Sequence, residues 1–181
     1  MGVWKLGKYG LEFDKKLDYS NVLPDWNEDD VIGSPFAITE YICNPDIGTN
    51  EDLIWLKEQL NSRNMKLILD FVPNHSAVDA PNAESNPRLY VRALEGKKDP
   101  SRYTDSGFAY GKYYGIDPWR DAIQWNYWEE ETLKFMKDNL MTVLSYADGV
   151  RCDVASLMLN DVFGETWKEE MEYLGYKKQK A

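Results

Sequence analysis

Two short runs constrain this chain more than any other feature: Leu67-Ile-Leu-Asp-Phe-Val-Pro-Asn-His75 and Gly149-Val-Arg-Cys-Asp-Val-Ala155. Each has the length of a strand and closes on polar groups, and the first carries apolar residues on both faces. A strand that is apolar on both faces belongs in a covered parallel sheet. Parallel neighbours need a long, right-handed crossover between them, and the intervening sequence has room for one.

The surrounding pattern reads helix, strand, excursion, helix, strand, helix. Residues 1–33 are polar and irregular, with Pro24, Gly33 and the acidic Glu28-Asp29-Asp30, and are expected to be mostly loop. Phe36 to Ile42 reads as a short extended piece. A first helix opens at Gly48-Thr49-Asn50, where either Thr49 or Asn50 can cap it and Glu51 and Asp52 suit the positive end of its dipole. Leu53, Leu56 and Leu60 recur at helical spacing, and Asn64 is placed to end the helix in the left-handed conformation. Met65 to Val72 is the first strand. A second helix is expected from Asn126, with Glu129-Glu130-Glu131 in its first turn and Leu133, Met136, Leu140 and Val143 as its apolar stripe. Asp148-Gly149 turns into the second strand, Val150 to Ala155. Glu165 to Leu174 reads as a third helix, followed by a basic tail at Lys177, Lys178 and Lys180. Residues 76–125 are rich in Pro, Gly, Ser and aromatics and too long for a structureless loop. They read as a small subdomain inserted at the C-terminal end of the first strand.

Composition narrows the partners. The 181 residues suggest one domain or a piece of a larger one, and 43% hydrophobic content is enough for a core. A net charge of -10 argues against nucleic acid and against an anionic membrane surface, both of which need clustered Lys and Arg. No apolar run is long enough to span a bilayer, and the first ten residues lack the apolar core of a secretory leader. Cys43 and Cys152 stand too far apart in sequence to suggest a disulfide framework and are expected to be buried thiols. The single histidine, His75, nearly excludes a zinc site of the His and Cys kind. Aromatics make up 14% of the chain and cluster between Tyr103 and Trp128. Beside so many carboxylates they fit a neutral polar ligand such as a sugar, although aromatics also simply fill cores.

The chemistry-bearing residues lie at the two strand ends. Arg151 and Asp153 are two apart on a strand, so they point the same way. A fixed cation favours the ionised carboxylate, which is what a carboxylate nucleophile requires. The same spacing equally suits a structural ion pair. Asp70, inside an apolar strand, reads first as a structural carboxylate. His75 is open between a binding role and a satisfied core histidine. Asn74-His75-Ser76 also matches a glycosylation acceptor, but a strand end inside a cleft is a poor one. Sites form at the C-terminal edge of parallel sheets. His75, Arg151 and Asp153 are therefore expected around one sugar-sized hollow.

These residues resemble the alpha-amylase superfamily of glycoside hydrolases. Asp70-Phe-Val-Pro-Asn74-His75 is similar to that family's first signature, and Gly149-Val-Arg151-Cys-Asp153-Val-Ala155 to its second. Pro35-Phe-Ala-Ile-Thr-Glu-Tyr41 and Asp46-Ile-Gly48-Thr49-Asn-Glu51-Asp52-Leu53 resemble the stretch before the first. The resemblance covers roughly residues 33–160 and implies an α/β fold that is part of a (β/α)8 TIM barrel. Residues 1–75 and 126–181 would be a partial barrel segment, and 76–125 the inserted loop subdomain. The barrel would be incomplete, since such barrels have eight strands in about 250 residues.

The resemblance also implies roles. Asp153 would be the nucleophile that forms a covalent glycosyl-enzyme, and Arg151 would hold and ionise it. His75 would bond a hydroxyl of the sugar at the cleavage site, and Asp70 would orient its neighbours. Phe36 stands where the family usually stacks a Tyr on that sugar. Asn74 matches a position that ligates calcium in some members, whereas Ser156-Leu157 replaces the Lys-His that many members use for the ion. No cofactor is required. The implied reaction is retaining hydrolysis of, or transglycosylation on, an alpha-glucan or oligosaccharide. The family's general acid/base comes from a later strand, and no matching segment follows Asp153 here, so the chain by itself is expected to be catalytically incomplete. A non-catalytic carbohydrate-binding or scaffolding subunit is the alternative, as is a truncated product with no role of its own. Exposed sheet edges are expected to favour self-association.

Overall fold

The computed structural model describes residues 2–94 and 99–176, so the expected basic tail lies outside the described residues. In chain order the elements are β1 (Trp4–Leu6), α1 (Lys8–Asp14), β2 (Ile38–Cys43), α2 (Asn50–Asn61), β3 (Ile68–Phe71) and β4 (His75–Ala77). They continue with α3 (Pro81–Ser85), β5 (Ala122–Gln124), α4 (Glu130–Tyr146), β6 (Gly149–Cys152), α5 (Asn160–Thr166) and α6 (Lys168–Tyr173). The strands pair as β1 with β2 and β4 with β5, both antiparallel, and β3 with β6, parallel. The parallel pair is the one expected from the two apolar runs, and α4 lies in the crossover between them. Its register sets Asp70 opposite Arg151 and Phe71 opposite Cys152. Among the described residues this sheet has two strands and no closed barrel, so one flank of β3 stays open and Ile68 is 63% exposed. None of the described helices is long and apolar enough to cross a membrane.

Local chemistry explains where α2 begins. Thr49 Oγ1 accepts from Asp52 N at 3.2 Å while Asp52 Oδ2 accepts from Thr49 N at 2.8 Å, a reciprocal cap that satisfies two otherwise orphaned donors. Asn64 takes the left-handed conformation with φ of 58°, three residues beyond the last helical one. Leu53 packs into the core, but Leu56 of the same stripe is exposed.

Several expectations give way to tertiary packing. Residues 1–33 are mostly loop, as expected, but not entirely: Trp4 anchors β1 in the core at 1% exposure, and α1 follows. A three-residue strand shows no periodicity to detect. The start of α1 is capped from far away in sequence. Its N-cap, Gly7, has no side chain, and Asp79 Oδ2 accepts from the backbone of Lys8 at 2.8 Å and Tyr9 at 3.2 Å. The second helix begins at Glu130 because Asn126 Oδ1 is used in the preceding turn, accepting from Trp128 N at 3.2 Å. Its inward residue in the first turn is Thr132, whose hydroxyl donates to Leu89 O at 3.3 Å, and Leu133 is turned outward. The third helix is two short ones, broken at buried Trp167.

The main core joins Trp4, Ile38, Tyr41, Leu69, Phe71 and Val143 to Tyr90, Ile123 and Trp125 of the excursion. A second cluster packs Val91, Tyr103 and Ala109 against Phe163, Trp167 and Met171. At its edge Glu170, 1% exposed, accepts from Arg102 Nη2 at 3.0 Å and from Tyr103 Oη at 2.6 Å. Residues 76–125 are thereby tied both to the parallel strands and to α6.

Candidate functional site

The parallel register alone brings Asp70 and Arg151 side by side, and one guanidinium then serves two carboxylates. Arg151 Nη1 lies 3.0 Å from Asp70 Oδ1, and Nη2 lies 3.2 Å from Asp153 Oδ1. Both carboxylates are buried, while the arginine stays half exposed. Asp153 N donates to Phe71 O at 2.8 Å, one step beyond the end of β6. The next residue, Val154, has φ of 40° and ψ of 35°. A β-branched side chain in the left-handed region is strained, and here it turns the chain sharply into a 3-10 turn at Ala155–Met158. The expected strand through Ala155 therefore stops at Cys152.

The electrostatics are divided. Burial is the largest influence on Asp153 and pushes its carboxyl above the ordinary value, Arg151 pulls it down, and the neighbouring Asp70 charge pushes it up. Hydrogen bonding and attraction to Asp70 come first among the influences that hold Arg151 more firmly charged.

Aromatic side chains fix the end of β3. The Trp4 indole donates to Asp70 O at 2.7 Å. Tyr41 Oη donates to Val72 O at 3.1 Å and accepts from Val72 N at 2.9 Å. Tyr127 Oη donates to Pro73 O. Burial keeps both phenols un-ionised. Phe36 lies beside the group, its ring centroid 5.8 Å from Arg151 Cζ. Sequence reasoning gave Trp4, Tyr41 and Tyr127 no role, and nothing in their spacing singles them out.

His75 lies one strand further along the chain than Asp70. Pro73 and Asn74 carry the chain out of β3, and His75 opens β4, opposite Gln124. The imidazole is buried, which lowers its pKa to about 4. Its ring centroid is 5.0 Å from that of Trp119, and Nδ1 accepts from Asn74 Nδ2 at 3.2 Å. It lines a cavity of about 270 Å³ with Ile38, Tyr41, Ser76, Trp125 and Phe135. The Arg151 contacts bring together Phe36, Asp70, Arg151 and Asp153.

Two further observations concern the cysteines and Asn74. Cys43 is buried, but Cys152 is exposed because β6 pairs on one side only among the described residues. Asn74 is a poor calcium ligand: its Oδ1 already accepts from Gln124 Nε2 at 3.1 Å. No cluster of three or more His, Cys, Asp or Glu able to hold a metal occurs among the described residues.

A model of the alpha-amylase catalytic domain matches residues 36–173. The chain belongs to the alpha-amylase family. The glycoside hydrolase resemblance drawn from the two signatures is thereby established at family level. Among solved structures, an alpha-amylase from Lactobacillus plantarum is similar at 25% identity and a TM-score of 0.63, over 96% of this chain and 34% of that one. A maltogenic alpha-amylase from Thermotoga neapolitana is similar at 25% identity and a TM-score of 0.55, over 76% of this chain and 30% of that one. The Geobacillus thermoleovorans alpha-amylase, solved with acarbose, shares the fold at 22% identity and a TM-score of 0.50, over 77% of this chain and 30% of that one. Comparison with curated proteins gives no match. This alpha-amylase-family chain therefore spans about a third of the length of the solved amylases it matches, and its parallel strands are part of a TIM-barrel architecture.

Proposed function

We propose that this chain carries the nucleophile side of a retaining glycoside hydrolase or transglycosylase acting on alpha-glucans or their oligosaccharides. The observation that carries it is the Arg151 fork, which holds Asp153 at the C-terminal end of one parallel strand and Asp70 at the end of its neighbour. Asp153 attacks the anomeric carbon, forming an ester bond as the glycosidic carbon–oxygen bond breaks; water or a second sugar then takes the glycosyl group. Arg151 orients Asp153 and favours its charge, and Asp70 orients Arg151. Phe36 offers a stacking face, and His75 an N–H for a sugar hydroxyl. Residues 1–75 and 126–181 act as the barrel segment and 76–125 as the inserted subdomain that shapes the substrate. The acarbose held by the Geobacillus amylase supports an oligosaccharide as ligand.

A retaining enzyme needs a second carboxyl roughly 5–5.5 Å from the nucleophile to protonate the leaving group. Asp70 is committed to Arg151, so the proposal assigns this acid to polypeptide outside these 181 residues. The chain alone then fails on natural glucans but can still react with a sugar whose leaving group needs no proton. Incubation with a fluorinated glucosyl fluoride, followed by peptide mass spectrometry, tests this. The expected result is a glycosyl adduct on the Asp153 peptide, absent in Asp153→Asn. An unlabelled wild-type chain, or an adduct on another residue, overturns the assignment.

A further inference from the structure

Gln124 Nε2 lies within hydrogen-bond distance of three oxygens: Asn74 O at 2.8 Å, Asn74 Oδ1 at 3.1 Å and Trp125 O at 3.2 Å. An amide nitrogen has only two protons to share among them. Gln124 is fully buried, and its own Oε1 has no hydrogen-bond partner among the described residues. Turning the amide over would aim an oxygen at three oxygens, so the nitrogen faces the cage. Oxygens converging on one point from two separate segments resemble part of a hard cation's shell. Calcium takes six to eight oxygens, carboxylates among them. Here there are three, all neutral, and the amide fills the space between them. The residues therefore do not fit calcium.

The cage also reaches the imidazole. With Oδ1 of Asn74 accepting from Gln124, Nδ2 of Asn74 is left to donate to His75 Nδ1. A ring nitrogen that accepts carries no proton, so the neutral ring keeps its proton on Nε2. We infer that Gln124 takes the place of a bound cation, closing the oxygen cage between the end of β3 and β5 and, through Asn74, holding His75 as the Nε2–H tautomer. Gln124 is a positioning residue in this role. The inference deepens the sugar-binding role proposed for His75, but it is tested without any sugar, so the two can fail separately.

The protein has one histidine, so nitrogen NMR of histidine-labelled chain at pH 7.5 gives a single, unambiguous tautomer pattern. The expected pattern is Nε2–H in wild type and a mixture of both tautomers in Gln124→Leu. The wild-type melting temperature is expected to be the same in calcium chloride and in EGTA. Gln124→Glu, which aims a carboxylate at three oxygens, is expected to melt lower in EGTA and to recover in calcium. An Nδ1–H pattern in wild type, or a tautomer unmoved in Gln124→Leu, overturns the inference. So does a wild-type melt that calcium raises, and this last measurement stands even if the variants fail to fold.

Discussion

Arg102→Ala is expected to destabilise the chain more than Glu170→Gln, although both break the same ion pair. Glu170 is 1% exposed and takes hydrogen bonds from Arg102 Nη2 at 3.0 Å and Tyr103 Oη at 2.6 Å. Removing Arg102 leaves a buried carboxylate with one neutral hydrogen-bond donor and only the attraction of Lys112, and breaking a buried pair in this way costs about 3–5 kcal/mol. Glu170→Gln keeps the shape and leaves an acceptor for Tyr103. Arg102, with its side chain 37% exposed, can turn to water or to Glu169, 3.7 Å away. Its cost should stay near a single charged hydrogen bond, about 1.5–3 kcal/mol. Arg102→Ala combined with Glu170→Gln should then cost less than the sum of the two, because no charge is left buried. Urea unfolding of the four proteins measures all three quantities, and Arg102→Ala alone should lower the melting temperature by roughly 6–20 °C. Equal costs for the two single substitutions, or strict additivity, would refute the claim that a desolvated carboxylate pins α6 to the excursion.

Two further outcomes follow from the site. Burial lowers the His75 pKa from 6.5 to about 4, so the unfolded chain binds more protons between those values, and this stabilisation is complete above pH 6.5 and lost as pH falls towards 4. The loss amounts to about 3 kcal/mol, and urea midpoints for His75→Gln should therefore fall less than wild type between pH 7 and 4.5; parallel curves would count against it. Val154→Gly should raise stability by about 0.5–1 kcal/mol in the same assay, the relief of a left-handed β-branched residue exceeding glycine's entropy cost; a lower midpoint would mean that Val154 is not strained.

Some of this protein is written locally, because the causes lie within a few residues of their effects. The reciprocal cap of Thr49 and Asp52 needs only a spacing of three, and the left-handed Asn64 only its own side chain. The two apolar runs announce β3 and β6, and the alternation of strand side chains puts Arg151 and Asp153 on one face before any fold is known. The family resemblance rests on these same local strings. What sequence could not supply are the partners that arrive from far along the chain. Asp70 meets Arg151 only through the parallel register, which is why the cation is shared. Trp4, Tyr41 and Tyr127 fix the end of β3 from three distant segments, Asp79 caps a helix some seventy residues earlier, and Gln124 claims the oxygen that calcium would need. Val154 looks like one more strand residue, yet it turns left-handed where the strand ends. Each of these depends on which backbone groups are left without water once the core closes, and only the tertiary structure determines that.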